Sequence, residues 1–245
     1  MTAVNSAGES IVSNEDSAYS DYPLLKMFVT SATGTGDLSS WDIDGWSPTE
    51  EGMAAGDEIC QHLATEAGLA GTFKAWLSDS TTDAYCHIHN LTGQKVANCG
   101  EDSLPVTAGP WVRTDGQPFS EKIDQTLSPN YKIYTSPMYD ELGNKIVTSY
   151  AFTGSSAAGT LDAYPNCLDW SSHDGGTNGA AGNTDRTGAF WTLGLYNACN
   201  SLNGIYCFQV DQGRALPPFA SDGKKVFVTS VTGTGDLGGW PQSDG

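Results

Sequence analysis

Apolar positions along the chain follow two spacings, and each spacing predicts a different kind of element. Between residues 57 and 67 they recur at intervals that place them on one face of a helix, and Gly68 is positioned to end that helix. The stretch 47–50 has a capping-box pattern with Pro48 at the first helical position, which predicts a helix start nearby. The predicted buried face consists of Ile59, Cys60, Leu63, Ala64 and Ala67.

Short runs of β-branched and aromatic residues predict the strands. A hairpin turn is expected at 141–144, because Gly and Asn there precede another apolar run. The stretch 171–188 is rich in Gly, Ser, Asn and Asp, and we expect it to be a long loop. The predicted strands cover 28–31, 72–77, 111–113, 131–134, 145–148, 151–154, 190–195 and 204–210.

One sixteen-residue phrase occurs twice. Residues 26–41 read KMFVTSATGTGDLSSW and residues 225–240 read KVFVTSVTGTGDLGGW, an offset of 199 positions (225 − 26). The segment between the main body and the second copy contains two adjacent prolines, which predicts a linker. The chain therefore divides into an extended lead-in at 1–23, a domain at 24–210, a linker at 211–223 and, at 224–245, the first strand of a second repeat or a donor strand.

Charge and composition exclude several classes of partner. The net charge is −18, from 29 acidic and 11 basic residues, so we expect no nucleic-acid partner. No apolar run approaches the roughly 18 residues that span a bilayer, so we expect no membrane insertion. The 29 glycines and the 38% apolar content favour a loop-rich, mainly β domain.

The six cysteines predict covalent cross-links. Their number is even and none has C-x-x-C spacing, which favours three disulfides over a zinc site and a location outside the reducing cytosol. Six cysteines allow fifteen pairings, and the arithmetic alone does not choose among them. Cys86 and Cys99 flank a turn-like stretch at 90–93 and can close a local loop.

The order of motifs resembles a known family. It runs from KMFVTS through GDEICQHLATEAGL, GTFKAWLSDSTT, GPWVRTDG and NCLDW to CNSLNGIYCF. This order resembles a family of secreted bacterial domains of unassigned function, frequent in spirochaete surface lipoproteins, over roughly residues 24–210. The resemblance implies an α+β, C-type-lectin-like fold, stapled by disulfides, with small antiparallel sheets, one main helix and long irregular loops.

The same resemblance implies how the cysteines pair. It joins Cys60 to Cys207 and Cys167 to Cys199, and it leaves Cys86 and Cys99 to each other. It also implies that the two ends of the domain lie close together on one sheet. Four tryptophans are expected to pack in the core or under loops rather than to stack on a ligand: Trp76, Trp111, Trp170 and Trp191.

The candidate binding residues are carboxylates and amides in loops. Asp42 and Asp44 alternate before Gly45, as in the first half of a calcium loop, but the distal Glu of such a loop is missing. His87 and His89 suit a metal pair if they lie on one face of a strand, although a solvent-facing pair is the better interpretation. We expect no cofactor, and the alternative is calcium at Asp42 and Asp44 or in the 171–188 loop. The candidate ligand contacts on the 171–188 loop and beside it are Asp174, Asn178, Asn183, Asp185 and Trp170.

No catalytic motif and neither sugar-binding triplet of the calcium-dependent lectins occurs, so we expect a non-enzymatic extracellular module. One interpretation is a repeating structural protomer of a surface fibre or filament, in contact with its own copies or with tandem neighbours. The alternative is a lectin-like adhesin that binds a glycan or a surface protein through the 171–188 loop. The subunit contacts of the first interpretation are Lys225, Phe227, Val228, Phe28 and Val29.

Overall fold

The computed structural model describes residues 4–5, 8–9, 24–147, 149–163 and 166–211. Within them the chain forms three right-handed α-helices, α1 (Gly52–Glu66), α2 (Ala84–Ile88) and α3 (Ile123–Thr126), and one left-handed helical turn, Cys167–Trp170. Segments of 3₁₀ helix lie at Leu38–Ser40, Lys95–Gly100 and Gly188–Trp191. The strands are β1 (Val4–Asn5), β2 (Gly8–Glu9), β3 (Leu25–Val29), β4 (Phe73–Ala75), β5 (Trp111–Arg113), β6 (Pro118–Ser120), β7 (Tyr150–Phe152), β8 (Asn178–Asn183), β9 (Leu195–Ala198) and β10 (Gly204–Gln209).

One eight-stranded mixed sheet organises the described body. Its order is β6-β5-β3-β10-β7-β8-β9, and β4 also pairs with β10. The pairs β3–β5 and β7–β10 are parallel, whereas the other pairs are antiparallel. The expectation of small antiparallel sheets is therefore wrong. The coarser expectation of sheet plus few helices and three disulfides is confirmed.

Strands β3 and β10 form the centre of the sheet, and their side chains are buried on both faces. Phe28 contacts Phe73 on one side, with ring centroids 5.5 Å apart. On the other side Phe208 packs edge-on against Trp111 at 5.0 Å. Such continuously apolar strands need a layer on each side, which helix α1 and the aromatic cluster around Trp191 provide.

Helix α1 begins between the two starts that the sequence predicts. It starts at Gly52, before the periodic stretch that begins at 57, and the capping-box stretch 47–50 stays outside it, so Pro48 is not the first helical residue. The reason is that Glu58, inside the helix, accepts the backbone N–H groups of Thr49 and Glu50 at 2.6 and 3.0 Å. The predicted end is confirmed, because Gly68 adopts a positive φ of 70° after the last turn.

The three disulfides are the pairs that the resemblance implies. Cys60–Cys207 joins α1 to β10. Cys167–Cys199 joins the NCLDW motif to the turn after β9. Cys86–Cys99 closes the short loop beyond α2. Since β3 and β10 are the first and last strands of the body and pair directly, its two ends also lie side by side.

Several other sequence predictions have a clear outcome. Strands at 111–113 and 204–209 and the turn between Tyr139 and Lys145 are confirmed. No strand forms at 131–134, and 190–195 is mostly a 3₁₀ turn ahead of β9. The second copy of the repeated phrase, with Lys225, Phe227 and Val228, lies outside the described residues, as does nearly all of the 211–223 linker.

Candidate functional site

The expected 171–188 loop is divided by a strand. Residues Asn178–Asn183 form β8, which pairs with both β7 and β9. Asn178 and Asn183 are therefore at opposite ends of a strand, roughly 17 Å apart. They cannot hold one small ligand together.

The two acidic candidates of this stretch also have separate local roles. Asp174 accepts the backbone N–H of Gly176 at 3.0 Å and so closes a tight turn. Asp185 is exposed and lies 3.7 Å from the guanidinium of Arg186. That these residues bind a ligand stays a prediction, but the structure does not bring them together.

Trp170 is fully buried, so a ligand cannot reach its ring. Its indole Nε1 donates to the backbone carbonyl of Ser78 at 3.0 Å. The other three tryptophans, Trp76, Trp111 and Trp191, are also fully buried, which confirms the expectation of core packing for all four.

The NCLDW motif forms a left-handed turn. Residues 167–170 all have φ between 52° and 66°, a conformation that costs about 1–2 kcal/mol per residue. Asp169 helps to hold it by accepting the N–H and the hydroxyl of Ser80 at 2.8 and 2.6 Å. Burial disfavours the charged form of Asp169, but the hydrogen bonds from Ser80 and Asn166 outweigh it and lower the pKa of the carboxyl.

The Asp42–Asp44 motif is a hairpin turn rather than a calcium loop. Ile43 and Trp46 exchange both backbone hydrogen bonds, at 2.8 and 3.0 Å. Asp44 and Gly45 between them have φ of 52° and 86°, as the Asp-Gly pair of a tight hairpin requires. Asp42 accepts the N–H of Gly45 at 2.8 Å. Within the described part of the chain, no three His, Cys, Asp or Glu side chains are grouped so as to hold a metal ion.

The two histidines are not a solvent-facing pair. Both lie in or just after helix α2, where His87 is buried with Nε2 2.8 Å from a carboxylate oxygen of Asp57. His89 is half-buried, and its Nδ1 lies 2.7 Å from the carbonyl of Tyr85. Their rings therefore have different partners, and the predicted strand is a helix.

The first copy of the repeated phrase lies in the core. Phe28 and Val29, expected as subunit contacts, are fully buried between β10 and β5. Two glycines follow them at close approaches. A β-carbon on Gly34 would lie 2.3 Å from Trp41 Nε1, and one on Gly36 would lie 2.3 Å from Cys167 Sγ.

The second copy has the same residue at most of the positions that are buried in the first copy. Of the four positions that differ, only Met27 is fully buried, and Val226 replaces it. The other three, Ala32, Ser39 and Ser40, are half-buried or exposed. The identical positions that are buried or tightly packed in the first copy are Phe28, Val29, Thr30, Gly34, Gly36, Leu38 and Trp41, which correspond to Phe227, Val228, Thr229, Gly233, Gly235, Leu237 and Trp240.

A cleft of about 730 Å³ opens beside this phrase. Its walls are the 43–46 hairpin, the outer side of α1, the segment 31–33 and the turn at 141–142. The described residues that line it include four acidic side chains, Asp42, Asp44, Glu66 and Glu141, and no Lys or Arg.

Two contacts shape this cleft. Glu141 is only 5% exposed, and its carboxylate accepts hydrogen bonds from the backbone N–H of Ser31 at 3.1 Å and from the Ser31 hydroxyl. On another wall Trp46 stacks on His62, with ring centroids 4.0 Å apart and planes 5° from parallel. The sequence pattern does not mark Trp46, His62 or Glu141 as site residues. The only local signal was that Trp46 directly follows the Asp-Gly turn.

No protein-family model matches the chain, and no curated protein matches it. The resemblance to lectin-like surface domains therefore rests on the motifs in the chain itself.

Proposed function

We propose that the protein is a non-enzymatic extracellular structural module of a surface fibre or filament, with a C-type-lectin-like body that repeats along the assembly. Segment 224–240 would occupy in the next body the place that 26–41 occupies here. Three disulfides support an extracellular location, because such bonds persist in oxidising compartments. None of the described helices is long and apolar enough to span a bilayer.

The observation that carries this proposal is the match between packing and repetition. The repeated phrase keeps the residues that face the core and the two glycines that touch Trp41 and Cys167. If the second copy served only as a soluble or flexible segment, glycine would not be required at 233 and 235, because no side chain would pack against those positions. The second copy therefore carries what is required to start the same fold again.

The position of β3 favours a tandem body over strand exchange between subunits. Strand β3 pairs with β10 on one side and with β5 on the other, so its place is interior and already filled. A donor strand from another subunit would first have to displace Leu25–Val29 from the core. A following body of the same fold provides an empty place without that displacement.

The ends of the body suit such an array. The backbone N–H of Lys26 donates to the side chain of Gln209 at 3.0 Å, so the chain enters and leaves at the same end. The thirteen residues of the 211–223 linker can span at most about 45 Å. Neighbouring bodies are thus close enough to touch.

The proposal is tested by limited proteolysis of the native array carrying Phe227→Asp. We expect the charge to prevent Phe227 from packing in the core of the following body, so that the protease removes that body while the body at 24–211 stays protected. Phe219→Asp, outside the repeated phrase, is the matched control and should leave both bodies protected. Unchanged protection of the following body in the Phe227→Asp variant would refute the proposal.

A further inference from the structure

The cleft beside α1 contains a buried carboxylate without a positive partner. Glu141 is 5% exposed, and its two hydrogen-bond donors both come from the neutral residue Ser31. Among the described residues, no ion pair involves any of the four acidic side chains of the cleft. Burying a charge is costly unless a counter-charge is present, and a cation that entered the cleft would offset that cost.

The cleft also has the shape and the walls of a ligand site. Its volume of about 730 Å³ lies within the range of small-molecule sites. The stacked rings of Trp46 and His62 form one wall, and Leu142, with 65% of its surface exposed, lies at another. Aromatic faces attract organic cations, and apolar surface accommodates the methylene groups of an alkyl chain.

The acidic hairpin is not part of what the fold repeats. Asp42, Asp44 and Trp46 correspond to Pro241, Ser243 and Gly245 after the second copy of the phrase. The identity of the two copies thus ends at Trp41, where the cleft-lining hairpin begins. The core residues are sufficient to explain the repetition, but they do not explain these three side chains.

We infer that this cleft binds an organic cation with several alkylammonium groups. Glu141 would hold one ammonium group at the base of the cleft, and Asp44 and Glu66 would hold others nearer its mouth. Trp46 would contact the alkyl chain or an ammonium group. A hard metal ion fits less well, since the acidic side chains are not grouped closely enough to coordinate one ion.

Isothermal titration of the full-length protein with spermidine at low ionic strength tests the inference. We expect saturable binding that weakens as NaCl is added. Glu141→Gln and Asp44→Asn should each weaken binding at least tenfold, because each removes a charge-assisted hydrogen bond. We expect Asp44→Asn to fold even if Glu141→Gln does not, because Asp44 is exposed and Asn tolerates its positive φ.

The control is Glu101→Gln, the same substitution at an exposed site away from the cleft. It separates the cleft from general attraction to a chain of net charge −18. If Glu101→Gln weakens binding as much as Glu141→Gln, the inference is wrong. It is also wrong if neither spermidine nor trilysine binds, or if a neutral disaccharide binds where these cations do not.

Titration with trilysine identifies the source of the ammonium groups. Tighter binding of trilysine than of spermidine indicates the lysine side chains of a basic polypeptide. Tighter binding of spermidine indicates a free polyamine. Either result supports the inference, provided that Glu141→Gln weakens the tighter of the two.

Discussion

Gly36 packs against the sulfur of Cys167, and this contact shows what a single side-chain position demands of the repeated phrase. In the sequence, Gly34 and Gly36 indicate only that the chain leaves a strand after the apolar run at 28–29. The sequence pattern cannot reveal that Gly34 lies against the indole of Trp41 or that Gly36 lies against Cys167 from a distant part of the chain, because such contacts arise from packing. The four buried tryptophans, in contrast, are predictable from their size and apolar character.

The Gly36 contact predicts a steric cost. Gly36→Ala places a β-carbon 2.3 Å from Cys167 Sγ, and we expect it to reduce the free energy of unfolding by about 1–3 kcal/mol. Gly176→Ala is the matched control, since its β-carbon would meet nothing closer than 3.4 Å. Urea unfolding of both variants measures the difference. Equal free energies of unfolding for the two variants would show that Gly36 does not lie against Cys167.

His89 makes the fold sensitive to pH. Burial lowers the pKa of its imidazole, although the hydrogen bond to Tyr85 and the charge of Asp124 oppose the shift and Lys95 reinforces it. Its Nε2 is buried without a partner among the described residues, so protonation would add an unsatisfied donor there. A folded-state pKa below the ordinary value of about 6.5 means that the unfolded state binds the proton more readily below that pH.

The wild type should therefore lose stability relative to His89→Gln as pH falls below about 6.5, and it should keep that difference constant above this value. Urea unfolding at pH 7.5 and 5.5 measures the change. His173→Gln, at an exposed ring, is the control. A difference that stays the same at both pH values, or one that moves in the other direction, would show that His89 does not titrate as proposed.

At the scale of elements, the apolar pattern predicts those segments whose own residues favour one conformation. Helix α1 and strand β10 are in this group. Strand β8 is not, because its sequence NGAAGN lacks β-branched residues. Its small residues are required by close contacts, since a β-carbon on Gly179 would approach Cys167 Sγ and one on Gly182 would collide with the carbonyl of Trp191. Composition alone therefore predicts a loop at these residues.

The disulfides differ in the length of chain that they constrain. Cys60–Cys207 spans 147 positions, whereas Cys86–Cys99 spans 13. Chain entropy predicts that replacing the first pair by alanine costs about 5 kcal/mol and replacing the second about 3 kcal/mol. Urea unfolding of the two double variants tests this order. A larger loss from the short loop would contradict the entropic account.

At the scale of the whole molecule, the cysteine count predicts disulfides, and the resemblance to the lectin-like family implies that the first and last strands are neighbours. The sequence does not predict the mixed sheet, because parallel pairs such as β3–β5 join segments far apart in the chain. The cleft is hidden for the same reason. Its walls come from four separate stretches, and the carboxylate of Glu141 is brought to Ser31 across 110 positions.

The central claim is that bodies of this fold follow one another in an array. A globular body the length of 24–211 has a diameter on the order of 40 Å. Electron microscopy of the native assembly is the most direct test. We expect fibres with an even axial repeat of at least about 40 Å and at most about 85 Å, the upper value applying to a fully extended linker. Isolated single bodies, or particles without a regular spacing, would contradict it.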